Sequence, residues 1–232
     1  MLRIAAANRL LESLPQEVGE QLLAKAKLVE LNFGEIIWEP SQRIKYVYFP
    51  LDSFVSQLYP ADRQKNLEVG LVGGEGMLGI PLVLGVNATI MQSMVQGTGS
   101  ALRLDAATFL HDLEMLPELR LRLYRYIYVV MAQLALTVTC NSFHSLDARL
   151  ARWLLMSHDR AQLGSFHLTH KFLGQMLGVR RVGVTNAAGR LQRQKVVRYS
   201  RGNIDILDRE GLEKLSCSCY VSAKDIYERV LG

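Results

Sequence analysis

The side chains best suited to meeting a polyanion sit in one run of the chain. It reads Leu168-Thr169-His170-Lys171-Phe172-Leu173-Gly174-Gln175-Met176-Leu177-Gly178-Val179-Arg180-Arg181-Val182-Gly183-Val184-Thr185-Asn186-Ala187-Ala188-Gly189-Arg190-Leu191. Guanidinium forks match phosphate and guanine edges, while Asn and Thr can hydrogen-bond base edges. The run lies inside a 45-residue segment, 160–204, that holds nine basic side chains and no acidic one. Residues 144–232 carry 15 Lys/Arg against 8 Asp/Glu, whereas residues 1–143 carry 12 against 14. The net charge of +5 is therefore concentrated in the C-terminal part. Such a face either meets a polyanion or is simply solvated, and charge alone does not separate the two.

The spacing around these residues specifies the elements that present them. Thr169 is a good N-cap, and Gly178 suits a left-handed turn after Leu177. A second helix is expected from about Arg180 to Gln194. Gly174, four residues before the turn glycine, leaves room for a steep, close crossing of the two helices. Leu177, Val179, Val184, Ala187 and Leu191 would form their shared core. This is the helix-turn-helix spacing, and it turns Arg181, Thr185 and Asn186 outward toward a major groove. Gly183 and Gly189 lower the helix propensity of the second helix. Two short β runs follow, Val196–Tyr199 and Ile204–Leu207, around the turn Ser200-Arg201-Gly202-Asn203. They read as the wing of a winged helix, with Arg198 and Arg201 as phosphate contacts.

Upstream the patterning changes twice. Residues 8–30 are expected to be an amphipathic helix, with Leu11, Leu14, Val18, Leu22 and Leu23 inward and a fresh start at Pro15. Six short β runs follow at Ile36–Trp38, Tyr46–Phe49, Phe54–Tyr59, Leu67–Val72, Ile90–Val95 and Ala101–Leu104. Separated by Pro- and Gly-rich turns, they predict a sandwich or barrel. The fold class is therefore α+β. After Leu104 the chain becomes helical. Leu123, Ile127, Val130, Leu134, Thr137 and Asn141 follow a 4-3-4-3-4 spacing, a heptad-like seam. Tyr124, Tyr128, Met131, Ala135 and Val138 form a second apolar stripe. One stripe can lie on the β domain and the other on a second chain; the first is taken as the dimer seam. The strongly apolar part, Tyr126–Val138, is short of a bilayer core, so burial in protein is expected rather than a membrane span. Ser145 or Asp147 caps a further helix over Ala148–Arg160.

In this order, a short helix, a β-roll, a long seam-bearing helix and a winged helix-turn-helix resemble the Crp/Fnr family of bacterial transcription regulators. The resemblance spans nearly the whole chain. It is strongest over Leu168–Val197, and Phe33-Gly34-Glu35-Ile36 is similar to the start of the family's β-roll. It implies three parts: a cyclic-nucleotide-binding-like sensor at 1–114, a dimerisation helix at 115–144, and a DNA-binding domain at 145–232. It further implies a homodimer on an inverted-repeat site in double-stranded DNA, with RNA polymerase as a candidate partner. The family's base-reading and phosphate-contacting positions fall on Arg180, Arg181, Val182, Gly183 and Asn186. Thr169, Thr185, Arg190, Arg198 and Arg201 complete the expected DNA-binding set. Val182 departs from a frequent Glu and Asn186 from a frequent Arg, so the familiar half-site does not carry over. The effector loop departs further. Gly74-Glu75-Gly76-Met77-Leu78-Gly79 has Gly79 in place of the ribose-binding Glu, and Asn87-Ala88-Thr89 replaces the Arg-containing phosphate run. No cofactor and no cyclic nucleotide effector are expected.

Other signals point elsewhere. Gly74-x-Gly76-x-x-Gly79 matches a dinucleotide fingerprint, but Pro81 follows closely and no acidic residue lies about 20 residues on. Cys217-x-Cys219 is tight for a zinc pair, and Cys140 is the only other thiol, so a four-cysteine cluster cannot form in one chain. No metal site is expected. The alternative readings are a small-molecule or haem/redox sensor whose output is not DNA binding, with His111 or His144 as a haem ligand, or a dinucleotide-binding enzyme using Gly74–Gly79. No catalytic constellation stands out. Three cysteines fit a reducing, cytoplasmic setting. Met1–Arg9 is too soon interrupted to read as a signal peptide.

Overall fold

The computed structural model describes residues 8–62, 65–161, 165–200 and 203–232. Arg201 and residues 1–7 lie outside these. In chain order the elements are α1 (Arg9–Glu12), α2 (Gln16–Lys25), β1 (Lys27–Leu31), β2 (Ile36–Trp38), β3 (Tyr46–Pro50), β4 (Phe54–Asp62), β5 (Lys65–Val72) and α3 (Ile80–Val83). Then come β6 (Gln92–Gly97), β7 (Gly99–Asp105), α4 (Ala106–Met115), α5 (Pro117–Phe143) and α6 (Leu146–Arg160). The C-terminal part holds β8 (Ser165–His167), α7 (His170–Met176), α8 (Arg181–Arg193), β9 (Val197–Ser200), β10 (Asn203–Ile206), α9 (Arg209–Leu215) and α10 (Cys219–Leu231).

Seven strands make two antiparallel sheets, ordered β1-β7-β3 and β2-β6-β4-β5. Their alternating residues bury Leu31, Val47, Phe49, Val55, Val95 and Leu104 in one core. This is the mixed α+β architecture expected. All six β runs appear, though the fifth begins two residues later, at Gln92, and Ile90 is exposed.

The single helix expected over residues 8–30 is not formed. The chain breaks between α1 and α2, because Pro15 lacks an amide proton to continue a helix. It leaves the helical state at Ala26, and Lys27–Leu31 pair with β7, Val29 opposite Ala101. A free sheet edge outweighs helical periodicity there. A four-residue helix, α3, does follow Gly79, with Pro81 in its first turn. After β7, Asp105 caps α4 by accepting from the Ala107 and Thr108 amides. Pro117 then opens α5, which runs 27 residues.

The α5 stripe expected to face a second chain begins instead against the β-roll core. Leu123 is 1% exposed in the β-roll core, and Ile127 and Val130 pack against it. Leu134 borders a cavity with Val130, and Thr137 donates to the Gln133 carbonyl. Asn141 is exposed at the helix end. The other stripe faces outward: Tyr128 is 60% exposed, Met131 62% and Val138 66%. Spacing fits both stripes equally, so side-chain chemistry decides. Burying an aliphatic side chain contributes roughly 1.5–3 kcal/mol, and the inward stripe is Leu, Ile and Val. The outward one carries tyrosines, whose hydroxyls favour a wet boundary.

A second core holds the C-terminal elements, with Leu150, Leu154, Leu173, Val184, Leu191 and Ile204 buried together. The chain does not end there. Helix α10 returns along α5 and places Tyr227 and Leu231 in the β-roll core.

Candidate nucleic-acid interface

Local chemistry sets the helix pair. The Thr169 hydroxyl accepts from the Phe172 amide and caps α7. Gly178 has φ 66°, the left-handed region that glycine enters without penalty. A Cβ on Gly174 would stand 2.9 Å from the Val179 carbonyl oxygen, so only glycine permits this crossing. Tyr199 of the wing stacks on His170, with ring centroids 4.3 Å apart, and its hydroxyl donates to the Leu168 carbonyl at 2.5 Å. His170 Nδ1 and Thr185 Oγ1 are 3.0 Å apart, which ties α7 to α8. Burial, with Arg181 nearby, holds the His170 imidazole below its usual value, which disfavours its charged form.

Helix α8 buries Val184, Ala187, Ala188 and Leu191 and turns its opposite face to solvent. Arg181, Val182, Thr185 and Asn186 are exposed there, with Arg180 just ahead of the helix. Val182 is 62% exposed. An apolar side chain in the middle of a polar face is suited to a thymine methyl group. Arg193 shares this face and was not singled out by the sequence reading.

Two expected residues are placed differently, and a third, Arg198, has an acidic partner on the hairpin. Gly183 is turned toward α6: a Cβ there would lie 3.1 Å from Leu146 Cδ2, so its role is packing. Arg190 reaches back to α6 and pairs with Asp147 through two contacts of 2.5 Å. Arg198 pairs with Asp205 across the β9–β10 hairpin at 2.9 Å and stays exposed. The wing has a third strand, β8, paired with β10.

The C-terminal half is fastened to the β-roll. Trp153 Nε1 donates to Glu68 Oε1 at 2.7 Å, and Ser56 Oγ donates to Glu68 Oε2 at 2.5 Å. Burial pushes the Glu68 carboxyl up to about 7, against the opposing effect of those two hydrogen bonds and of Arg160 and Arg152. Glu75 of the effector loop points to the same junction and accepts two bonds from Arg160, at 2.9 and 2.6 Å. The rest of that loop is built into the fold. A Cβ on Gly76 would meet the Tyr126 hydroxyl at 2.0 Å, and one on Gly79 would meet Val47 at 2.7 Å. Gly74 accepts from the Arg9 amide, and Asn87 accepts from the Ile44 amide. Ala88 bridges Arg43 and Thr89 is buried, bonded to Met91.

The cavity between the β-roll and α5 measures about 80 Å³. Trp38, Leu71, Met77, Thr89, Val130 and Leu134 are among its lining, and none of the lining side chains is charged. The sequence reading kept Cys140, His144, Cys217 and Cys219 apart; the fold brings their ligand atoms within 4.8 Å of one another. Residues 77 apart in the chain meet here, which no local motif could signal.

Residues 148–215 match the Crp-like helix-turn-helix domain. The chain is similar in structure to FixK2 from Bradyrhizobium japonicum, with TM-score 0.69 and 15% identity over 83% of this chain and 98% of that one. A putative Crp/Fnr-family transcriptional regulator from Eubacterium rectale gives TM-score 0.70 and 16% identity over 88% and 95%. The c-di-GMP-responsive global regulator CLP of Xanthomonas campestris gives 0.66 and 12% over 83% and 99%. No curated protein matches the chain by sequence.

Proposed function

On the premise that this chain carries a Crp-like helix-turn-helix domain within the Crp/Fnr fold, we propose that it is a homodimeric transcription regulator reading an inverted-repeat DNA site. The observation that carries this is the solvent-facing surface of α8. It aligns Arg181, Val182, Thr185 and Asn186 on a helix held by a glycine-dependent turn. Arg181 and Asn186 read base edges, Val182 meets a methyl group, and Arg180, Arg198 and Thr169 contact phosphates. The protein acts as a regulator rather than an enzyme, in the cytoplasm where its DNA lies, with RNA polymerase as a further partner.

The dimer forms through the outward stripe of α5, Leu121, Tyr124, Tyr128, Met131 and Val138. These are all large apolar side chains at 3-4 spacing, and all are half or more exposed in the single chain. By length and composition α5 could also cross a membrane. Its inward face is already part of the sensor core, so a second copy of the helix is the better cover for the other. Parallel packing of two such seams places two recognition helices one DNA turn apart, roughly 34 Å.

The sensor works without a cyclic nucleotide. A drug-sized ligand needs a pocket of roughly 300 Å³ or more, and a phosphate needs a cation or several amides. The cavity beside α5 is about 80 Å³ with an uncharged lining, and in the larger one, about 430 Å³ beside Gly74 and Glu75, Arg160 is paired with Glu75 and Arg9 with Glu228. The deciding experiment is duplex binding as a function of salt. Each neutralised phosphate should contribute about 0.9 to the log–log slope, and salt-independent binding would overturn the proposal.

A further inference from the structure

We propose that Cys140, His144, Cys217 and Cys219 bind one zinc ion in a closed tetrahedral site that ties the end of α5 to the α9–α10 turn. The ligands come as two chelating pairs. Cys140 lies in the last turn of α5 and His144 is its C-cap residue, four positions on. Cys217 lies in the turn after α9, and Cys219 is the first residue of α10. Cys140 Sγ is 3.4 Å from Cys217 Sγ, and Cys219 Sγ is 3.6 Å from His144 Nδ1. With Zn–S about 2.3 Å and Zn–N about 2.0–2.1 Å, a tetrahedron places neighbouring ligand atoms roughly 3.5–3.8 Å apart. The four atoms lie within 4.8 Å of one another, so a single ion fits at their centre. An iron–sulfur cluster does not, because its iron and sulfide atoms would hold the ligands farther apart. Three thiolates and an imidazole form a donor set that favours zinc over hard cations.

Two further observations point to a bound group rather than three idle thiols. All three cysteines are buried and unpaired by disulfide, with Leu136 and Ala148 packed around them. An apolar shell of that kind excludes water and strengthens coordination. Beside them stand two arginines. Arg149 and Arg152 line one small cavity with Cys140. Arg152 is only 8% exposed, and the Nε atoms of both have no hydrogen-bond partner among the described residues. Buried guanidinium groups call for negative charge nearby. Zinc with three thiolates and a neutral histidine carries a net charge of −1, which supplies it. On binding, each thiol releases its proton to solvent, and no electron is transferred. The consequence is mechanical. The site joins the dimer helix to the turn that follows the winged domain, so it fixes how that domain hangs from the dimer.

The test uses the full chain purified under reducing conditions, with zinc counted by mass spectrometry against protein concentration. One zinc per chain is expected. Cobalt in place of zinc should give intense visible bands of tetrahedral Co(II) and near-ultraviolet thiolate charge transfer. His144→Ala and Cys217→Ser should each weaken binding by more than about 100-fold, beyond the loss typical of outer-shell changes. His144→Cys should restore a four-ligand site with an all-sulfur cobalt spectrum, a rescue that a packing role would not produce. If Cys217→Ser does not fold, zinc titration of the metal-stripped wild-type chain against a chromophoric chelator gives the affinity without any variant. No zinc uptake in that titration, or octahedral cobalt, overturns the proposal. So does iron with acid-labile sulfide, or a Cys140–Cys217 disulfide in the reduced protein.

Discussion

Glu68→Gln isolates the buried carboxyl at the junction of the β-roll and the helix-turn-helix domain. Burial raises Glu68 from the ordinary 4.5 to about 7, while Ser56 and Trp153 donate to its two oxygens and Arg160 and Arg152 stand near. An acid raised in the folded state has the native protein binding a proton that the unfolded chain has already lost. Its favourable contribution is complete below pH 4.5, falls as pH rises, and is gone above about 7. At about 1.4 kcal/mol per pH unit, the difference amounts to about 3 kcal/mol. Glutamine keeps both hydrogen bonds, with its carbonyl accepting from Trp153 and its amide donating to the Ser56 hydroxyl. Urea unfolding of both proteins between pH 4.5 and 8 is the assay, and subtracting the two profiles removes every other titrating group. The variant should gain on the wild type between pH 4.5 and about 7, by about 3 kcal/mol in all, and the difference should be flat above that. Parallel profiles would refute the reasoning, because they would mean that Glu68 keeps its ordinary acidity and is reached by water.

Met131→Glu should give monomers, since an unpaired buried charge costs about 3 kcal/mol and so weakens association by roughly 100-fold or more; sedimentation of a stable dimer by this variant would place the interface elsewhere. Calorimetry with cyclic AMP and cyclic GMP should show no binding and no change in DNA affinity, and a micromolar dissociation constant would mean that the cavity lined by Arg9, Arg160 and Lys224 takes the nucleotide once their carboxylate partners give way.

What was legible in the sequence was local. Gly174, Gly178 and Thr169 specify the helix-turn-helix because each meets a backbone requirement within a few residues of itself. The β-roll strands were legible because alternation and turn residues bound them. Lys27–Leu31 were not, since their place as a strand depends on an edge of β7 about 70 residues away. Helix α5 was legible as an element but not in orientation. Two stripes share one heptad spacing, and only the surface each meets separates them. Arg190 and Gly183 lie on the expected helix, yet the N-terminal end of α6 claims both, Arg190 through Asp147 and Gly183 through Leu146. The cluster of Cys140, His144, Cys217 and Cys219 exists only because α10 folds back along α5.

The central claim is that α8 reads DNA from both halves of a two-fold dimer. Selection of bound duplexes from a random pool by the full-length protein, repeated with Arg181→Ala and Arg190→Ala, tests it most directly. The account predicts an inverted repeat with half-sites one helical turn apart, about 10 base pairs centre to centre. Arg181→Ala should cost about 1–3 kcal/mol and relax one position in each half-site, whereas Arg190→Ala should leave the selected sequence unchanged. An unenriched pool, a site without two-fold symmetry, or equal loss of sequence preference in both variants would contradict it.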